Sequence, residues 1–414
     1  MNTHIPAKIG IITHDLISAI RGSEIFTYYG VTPTLVLDGI IARNLDVIAT
    51  TSMSKIATPR MAYLQTKKAI SRCHGRYLCF QENLFLMGNI SADIKAIIDV
   101  LQPGKLIFCT AWPEHNSYIK GAQAFIGNIP VSKSVQAIDA VTPIRESNIP
   151  HILEKYTGLT PKLLNTDEVE RGPTTIARLV NTCSNRIIIC DATKQDHLKN
   201  IAEAIVCNKE SWVACGSGGL TREMIPLLGY KKQQRAISPL LNKKPVLLVL
   251  GSLSDVTAIQ LATAAEKGLV YPILIEPGDL WNRNEREYKI HKLAVEAGQQ
   301  TSRGNNVAIA LTCSRFIPQF RKTAAYLLSQ IAKLVIEEHN TQALCIGGSD
   351  TAYAFCRTMS IQKLEVKGSI TGKLSSTVVN AYSANGKTYW LCLKPGSYGD
   401  ELTLVETLQF LRQV

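Results

Sequence analysis

The chain reads as a two-domain α/β protein in which each domain is a mostly parallel sheet flanked by helices. Three observations lead there. Apolar runs of strand length alternate with amphipathic helical patterns almost throughout, as parallel strands joined by covering helices require. A polar, basic interval over residues 230–244 interrupts the alternation, which restarts at Pro245. At 414 residues the chain also exceeds what one compact core organises.

In the first half, residues 8–13 read as a strand and 15–29 as a helix that Gly30 stops. Further strands are expected at 34–37, 46–50, 76–80, 105–109, 186–190 and 211–215, with helices at 59–71, 91–101 and 194–204. After the interval, strands are expected at 245–250, 270–275, 307–311, 343–346, 364–366 and 388–393. Helices fall at 255–267, 285–297, 322–338 and 401–411. The expected division is a domain at 1–232, a linker at 233–244 and a domain at 245–414, without internal repeats.

Hydrophobic residues make up 46% and charged residues 19%, which suits a globular protein with large buried sheets. No apolar run has bilayer length, and His14 and Asp15 interrupt the first apolar stretch, unlike a signal peptide. The eleven cysteines include no C-x-x-C pair. Cys79, Cys109, Cys190, Cys215, Cys345 and Cys392 sit in or beside apolar runs, where Cys acts as a small hydrophobe. No metal site or disulfide framework is expected, and a reducing cytoplasm is the expected compartment. The net charge of +12 is scattered, without an aromatic-interleaved basic stripe. Nucleic acid is therefore a disfavoured partner, and a surface attractive to anionic substrates is the simpler reading. The sequence leaves a homo-oligomer open.

Chemistry in open α/β sheets sits beyond the carboxyl ends of strands. Four strand ends carry small polar residues: Gly251-Ser252-Leu253-Ser254-Asp255-Val256-Thr257, Gly347-Gly348-Ser349-Asp350-Thr351, Lys394-Pro395-Gly396-Ser397-Tyr398-Gly399 and Gly216-Ser217-Gly218-Gly219. Each alone could be a steric accommodation. Three in one domain favour a phosphate-binding face, because small residues let backbone N–H groups at helix starts approach an anion. No segment matches the P-loop pattern, and no G-x-G-x-x-G follows a strand.

The order and spacing of these segments resemble the four-carbon acid sugar kinase family, which phosphorylates threonate, erythronate and related acids with ATP. That family's G-S-x-S-x-x-T-x-x-Q segment is matched by Gly251, Ser252, Ser254, Thr257 and Gln260. Its G-G-[DE]-T-[SA] turn is matched by Gly347, Gly348, Asp350, Thr351 and Ala352 with an extra Ser349, and its K-x-G-x-[FY]-G loop by Lys394, Gly396, Tyr398 and Gly399. Asp191-Ala192 and Gly216-Ser217-Gly218-Gly219-Leu220 also fit family landmarks. The resemblance implies a substrate-binding first domain and a nucleotide-binding second domain that holds ATP with Mg²⁺ and no protein-bound metal. Nucleotide contacts are then expected from Ser252, Ser254, Thr257, Gly347, Gly348, Ser349, Asp350, Thr351, Lys394, Gly396 and Gly399.

The first half departs from the family. Its A-D-D-L-T-G-A segment is here Thr13-His14-Asp15-Leu16-Ile17-Ser18-Ala19, its D-S-T-L-R-G-N segment runs from Asn83 to Asn89 with Met87 at the Arg position, and its F-P-E-x-G-R segment ends in Ser117. Met87 and Ser117 cannot replace a guanidinium that grips a carboxylate in bidentate fashion. Either the acceptor is more apolar or lacks a free carboxylate, or a cation such as Arg21 or Lys120 takes over.

Asp15 is read as a helix N-cap or as the catalytic acceptor of a substrate proton. His14, Ser18, Asn83, Asn89, Glu114 and Asn116 are the expected substrate contacts. Lys394 is read as a cation for phosphate. The leading expectation is an ATP-dependent kinase acting on a small polyhydroxylated metabolite. The competing one is a nucleotide-binding sensor or scaffold of the same fold, and a nucleic-acid binder rests on charge alone.

Overall fold

A computed structural model of the chain describes residues 7–38, 45–73, 75–81, 84–138, 142–208, 212–233, 237, 244–276, 278, 282, 284–312, 320–339, 341, 343–370 and 376–412. The fold is α/β and divides into two compact units, residues 1–36 with 40–234 and residues 37–39 with 235–414. Among the described residues no helix is long and apolar enough to cross a membrane.

The strands of the first unit are β1 (Ala7–Thr13), β2 (Thr34–Val36), β3 (Val47–Thr51), β4 (Gly75–Gln81), β5 (Lys105–Cys109), β6 (Ser117–Lys120), β7 (Gln123–Ile126), β8 (Ile129–Pro130), β9 (Lys162–Leu164), β10 (Ile187–Cys190) and β11 (Trp212–Gly216). Eight of them pair in parallel in the order β2-β3-β1-β4-β11-β5-β10-β9. Ile9, Ile11, Ile12, Ile107, Phe108, Ile188 and Ile189 are wholly buried, as expected where helices cover both faces of a parallel sheet. The register aligns Thr51, Thr13, Gln81, Gly216 and Cys109 in one row across five neighbouring strands. The first helix, Leu16–Glu24, tightens into a 3₁₀ turn over Ile25–Tyr29 before Gly30 ends it at φ 75°, within the span that the sequence assigns to one helix. Strands β6, β7 and β8 form a separate antiparallel sheet that the sequence reading does not anticipate.

The second unit contains β12 (Leu247–Leu250), β13 (Tyr271–Ile275), β14 (Val307–Leu311), β15 (Ala343–Gly347), β16 (Ile361–Ser369), β17 (Thr377–Ser383) and β18 (Thr388–Lys394), in the order β13-β14-β12-β15-β18-β17-β16. The first five are parallel, and β18-β17-β16 is an antiparallel meander. The sequence reading holds only residues 364–366 of β16 and none of β17. In β16 half-exposed Lys363, Glu365 and Lys367 alternate with buried Leu364 and Val366, a one-face pattern that shows less than a continuous apolar run. Leu250, Gly347 and Lys394 align at the carboxyl edge of β12, β15 and β18.

Candidate functional site

In the second unit, register brings three strand-end segments together. Residue 251 follows β12 and opens into the helix Asp255–Glu266, capped by the Ser254 side chain on Thr257 N–H. Gly348 follows β15 and caps the helix Ser349–Thr358. The third segment, after β18, is joined to both by hydrogen bonds. Ser254 Oγ and Thr257 Oγ1 donate to the Gly396 carbonyl at 2.6 and 2.7 Å. Gln260 Nε2 donates to the carbonyls of Tyr398 and Asp400 at 3.2 and 2.8 Å. Gly251 N–H reaches Gly347 O, and Gly348 N–H reaches Lys394 O.

The glycines here are steric necessities. A Cβ on Gly251 would strike Thr351 Oγ1, and one on Gly396 would strike the Ser252 hydroxymethyl group. Gly348 adopts φ 99°, a region L side chains avoid. A backbone kept this bare beside two helix N-termini is suited to an anion such as a phosphate. The expected contacts Ser252, Ser254, Thr257, Gly347, Gly348, Thr351, Gly396 and Lys394 are thus joined by contacts or register. Gly399 lies against Thr403 and Gln260 further along the loop. Ser349 and Asp350 form the first turn of the second helix, and Asp350 is ion-paired with Arg321.

Lys394, expected as a cation for phosphate, is enclosed by the protein. Its side chain is wholly buried, and Nζ donates to Pro395 O at 2.8 Å and Thr257 Oγ1 at 3.4 Å. Burial lowers its pKa from 10.5 to about 8. These contacts make it an internal brace of the 394–400 loop.

In the first unit, Asp15 follows β1. Its Oδ1 accepts the Ser18 N–H at 2.8 Å, a helix cap, which is one of the two roles the sequence suggests for it. Oδ2 stands 3.4 Å from His14 Nε2 and 3.8 Å from Lys55 Nζ. Burial opposes the charge, but His14, Lys55 and the Ser18 N–H outweigh it and hold the carboxyl well below the usual carboxylate range. Such a group is a weak proton acceptor at neutral pH and a strong hydrogen-bond acceptor for a hydroxyl.

The other expected contacts scatter. Asn89 Nδ2 is committed to the carbonyls of Ser54 and Ala57 at 2.8 and 2.7 Å, so this amide braces the loop after β3. Glu114 forms a bidentate pair with Arg222 at 2.6 and 2.5 Å, which holds its carboxyl below the usual range. Arg222 also stacks over Trp112, whose ring meets His115 edge-on at 4.3 Å. Burial and Arg21 lower the His115 pKa. Asn116 is exposed, with φ 57°, and accepts from Tyr118 Oη. Asn83 lies outside the described residues.

Sequence reasoning did not single out Lys55, Asp93 or Arg222. Asp93 is fully buried, takes hydrogen bonds from Thr66 Oγ1 at 2.6 Å and Ser54 Oγ at 2.9 Å, and burial lifts its pKa to about 7. Among the described residues no group of three His, Cys, Asp or Glu is placed to hold a metal.

Comparison with known proteins gives consistent matches over both units. Residues 22–224 match a family model described as a sugar-binding N-terminal domain, and residues 247–404 one described as a nucleotide-binding C-terminal domain. A D-erythronate kinase of Heliobacterium modesticaldum is 24% identical over 359 residues, 79% of each chain. A D-threonate kinase of Bordetella bronchiseptica is 22% identical over 98% of each. A 3-oxo-tetronate kinase of Burkholderia multivorans is 22% identical over 75% of this chain and 73% of its own. Two crystal structures share the fold at 18% identity. One, from Salmonella typhimurium, has a TM-score of 0.79 and covers 97% of this chain and 98% of its own. The other, from Haemophilus influenzae, has a TM-score of 0.71 and covers 97% and 99%.

Proposed function

This chain belongs to the four-carbon acid sugar kinase family, and on that premise we propose that it transfers the γ-phosphoryl group of ATP to a hydroxyl of a small sugar acid. The observation that carries the reading is the meeting of residues 251–257, 347–351 and 394–400 at one strand edge, with Gly251 and Gly396 where a Cβ would collide and Gly348 at a φ that L side chains avoid. Ser252, Ser349, Thr351 and Gly396 would offer the phosphates hydroxyl and backbone N–H donors, while Ser254, Thr257 and Gly348, whose donors go to Gly396 O, Ser254 Oγ and Lys394 O, would hold the three segments in place around them. Mg²⁺ bound with the nucleotide would neutralise phosphate charge, and Asp350 with the neighbouring hydroxyls offers the oxygen donors that a hard cation takes. Lys394 would act by holding the 394–400 loop in register.

In the first unit Asp15 would accept the hydrogen bond of the attacking hydroxyl and orient it. Phosphoryl transfer asks the protein mainly for positioning and charge stabilisation, and a carboxylate ionised at all working pH values suits that role. A second reading, a nucleotide-binding sensor, draws on Met87 and Ser117, which stand at two positions where the resembling family carries arginine. Thermal unfolding with and without Mg-ATP tests the nucleotide assignment: saturable stabilisation is expected, since a ligand of the native state raises its stability. No shift at millimolar Mg-ATP would remove it.

A further inference from the structure

The loop after β3 is fixed more firmly than its sequence, Ser52-Met53-Ser54-Lys55-Ile56-Ala57, leads one to expect. Ser52 donates from both N–H and Oγ to Thr13 O, and Lys55 N–H donates to His14 O, so the loop is tied to the end of β1. On its other side Asn89 Nδ2 grips the carbonyls of Ser54 and Ala57, and the Ser54 hydroxyl donates to the buried Asp93 carboxyl. Gly88 packs so closely that a Cβ there would lie 3.2 Å from Lys55 Cα and O. Met53 is held at φ 55°, a conformation that persists in a non-glycine residue only where the surroundings impose it.

What this framework presents is the Lys55 side chain, about a quarter exposed, with Nζ 3.8 Å from Asp15 Oδ2. That separation is longer than a charge-assisted hydrogen bond, so the ammonium keeps donors for another oxygen. A fixed cation beside a fixed carboxylate is complementary to a ligand carrying an anionic group and a hydroxyl a few bonds apart. The anion takes the lysine, the hydroxyl takes the aspartate, and the lysine between them screens one carboxylate from the other.

We propose that Lys55 is the specificity-determining cation of the acceptor site, holding the carboxylate of a short polyhydroxy acid while Asp15 holds its hydroxyl. This rests on the sugar-acid kinase reading and deepens it. It identifies a cation for the acceptor at a position other than Met87 or Ser117. Lysine is adequate there because a point charge on a rigid loop replaces the planar fork of a guanidinium.

The test is calorimetry on the full chain with D-threonate, D-erythronate and the neutral tetritol erythritol, with Mg-ATP binding measured alongside. Lys55→Gln is expected to weaken binding of the acids by about 10- to 100-fold, the range for losing a hydrogen bond to a charged group. It should leave erythritol and Mg-ATP binding as in the wild type, and Lys55→Arg should retain most of the acid affinity. Acid binding unchanged in Lys55→Gln overturns the inference and leaves the kinase reading standing. An equal loss for acid and tetritol also overturns it, because the lysine then acts only on the shape of the loop. A wild type that binds Mg-ATP but no acid overturns the inference and the sugar-acid reading together, while absent Mg-ATP binding strikes at the nucleotide assignment.

Discussion

The Ser254 hydroxyl donates a 2.6 Å hydrogen bond to the carbonyl of Gly396, 142 residues along the chain. Thr257 makes a second bond to the same carbonyl. Two hydroxyls on one helix start therefore hold the last glycine-rich loop over the strand edge where the phosphates are proposed to sit. If that closure forms the nucleotide site, disturbing the loop should cost nucleotide affinity before it costs the fold.

Gly396→Val should abolish Mg-ATP stabilisation, because its Cβ would enter the space of the Ser252 side chain. Gly347→Val should lower affinity less, since its nearest obstacle is the movable Leu250 Cδ2 at 2.7 Å. Gly278→Ala, with nothing within 4 Å of the added Cβ, should behave as wild type. Thermal shift against Mg-ATP concentration measures all three. Wild-type affinity in Gly396→Val would exclude the cluster as the nucleotide site.

Asp15→Asn should reduce kcat by about 10²-fold or more if the carboxylate orients the attacking hydroxyl. Asparagine keeps the helix cap but loses the charge that His14 and Lys55 stabilise, so stability at neutral pH should fall as well, and kcat is to be compared on the folded protein. Because His14, Lys55 and Ser18 hold Asp15 ionised, it should contribute no acid limb to the kcat/KM profile above about pH 4. An acid limb near pH 6 that disappears in Asp15→Asn would contradict this assignment.

Lys394 gives a stability signature. Its folded pKa of about 8 lies below the usual 10.5, so between those values the unfolded chain binds more protons than the folded one. Stability should therefore rise with pH across that window, by a few kcal/mol at most at ~1.4 kcal/mol per unit. Denaturant midpoints measured from pH 7.5 to 10.5 should show wild type gaining on Lys394→Met. Parallel curves would mean that the ammonium is not desolvated.

Asp93 should act in a lower window. Burial lifts its pKa from 3.8 to about 7 against the hydrogen bonds from Thr66 and Ser54. The folded state then binds the extra proton, and the stability it contributes below pH 3.8 is lost as pH rises toward 7. Asp93→Asn should flatten that decline in denaturant midpoints taken from pH 4 to 8. An undiminished slope would assign the decline to other groups.

Much of the nucleotide side was legible in the sequence because its signal is local. Gly347-Gly348 and Gly251-Ser252 directly follow apolar runs that can only be buried strands. Lys394 was legible as important but not as buried, since a lysine between Leu393 and Pro395 carries no mark of the Thr257 hydroxyl, 137 residues away, that it meets. The acceptor side is built from distant partners and was largely hidden. Glu114 meets Arg222 across 108 residues, and the Lys55 loop is fixed by Asn89 and Asp93 from a later helix start. Strand β17 escaped because TVVNAYS mixes buried and half-buried positions without a clean apolar run.

The most direct test of the central claim is a coupled ADP-release assay with mass analysis of the product, run with Mg-ATP over D-threonate, D-erythronate and their 3-oxo counterparts, with neutral tetritols for comparison. The account predicts ADP release that depends on one of the acids, matched by its phosphorylated product, and lost in Asp15→Asn. Saturable Mg-ATP binding with no phosphorylated product from any acid would contradict it and favour the nucleotide-sensing reading.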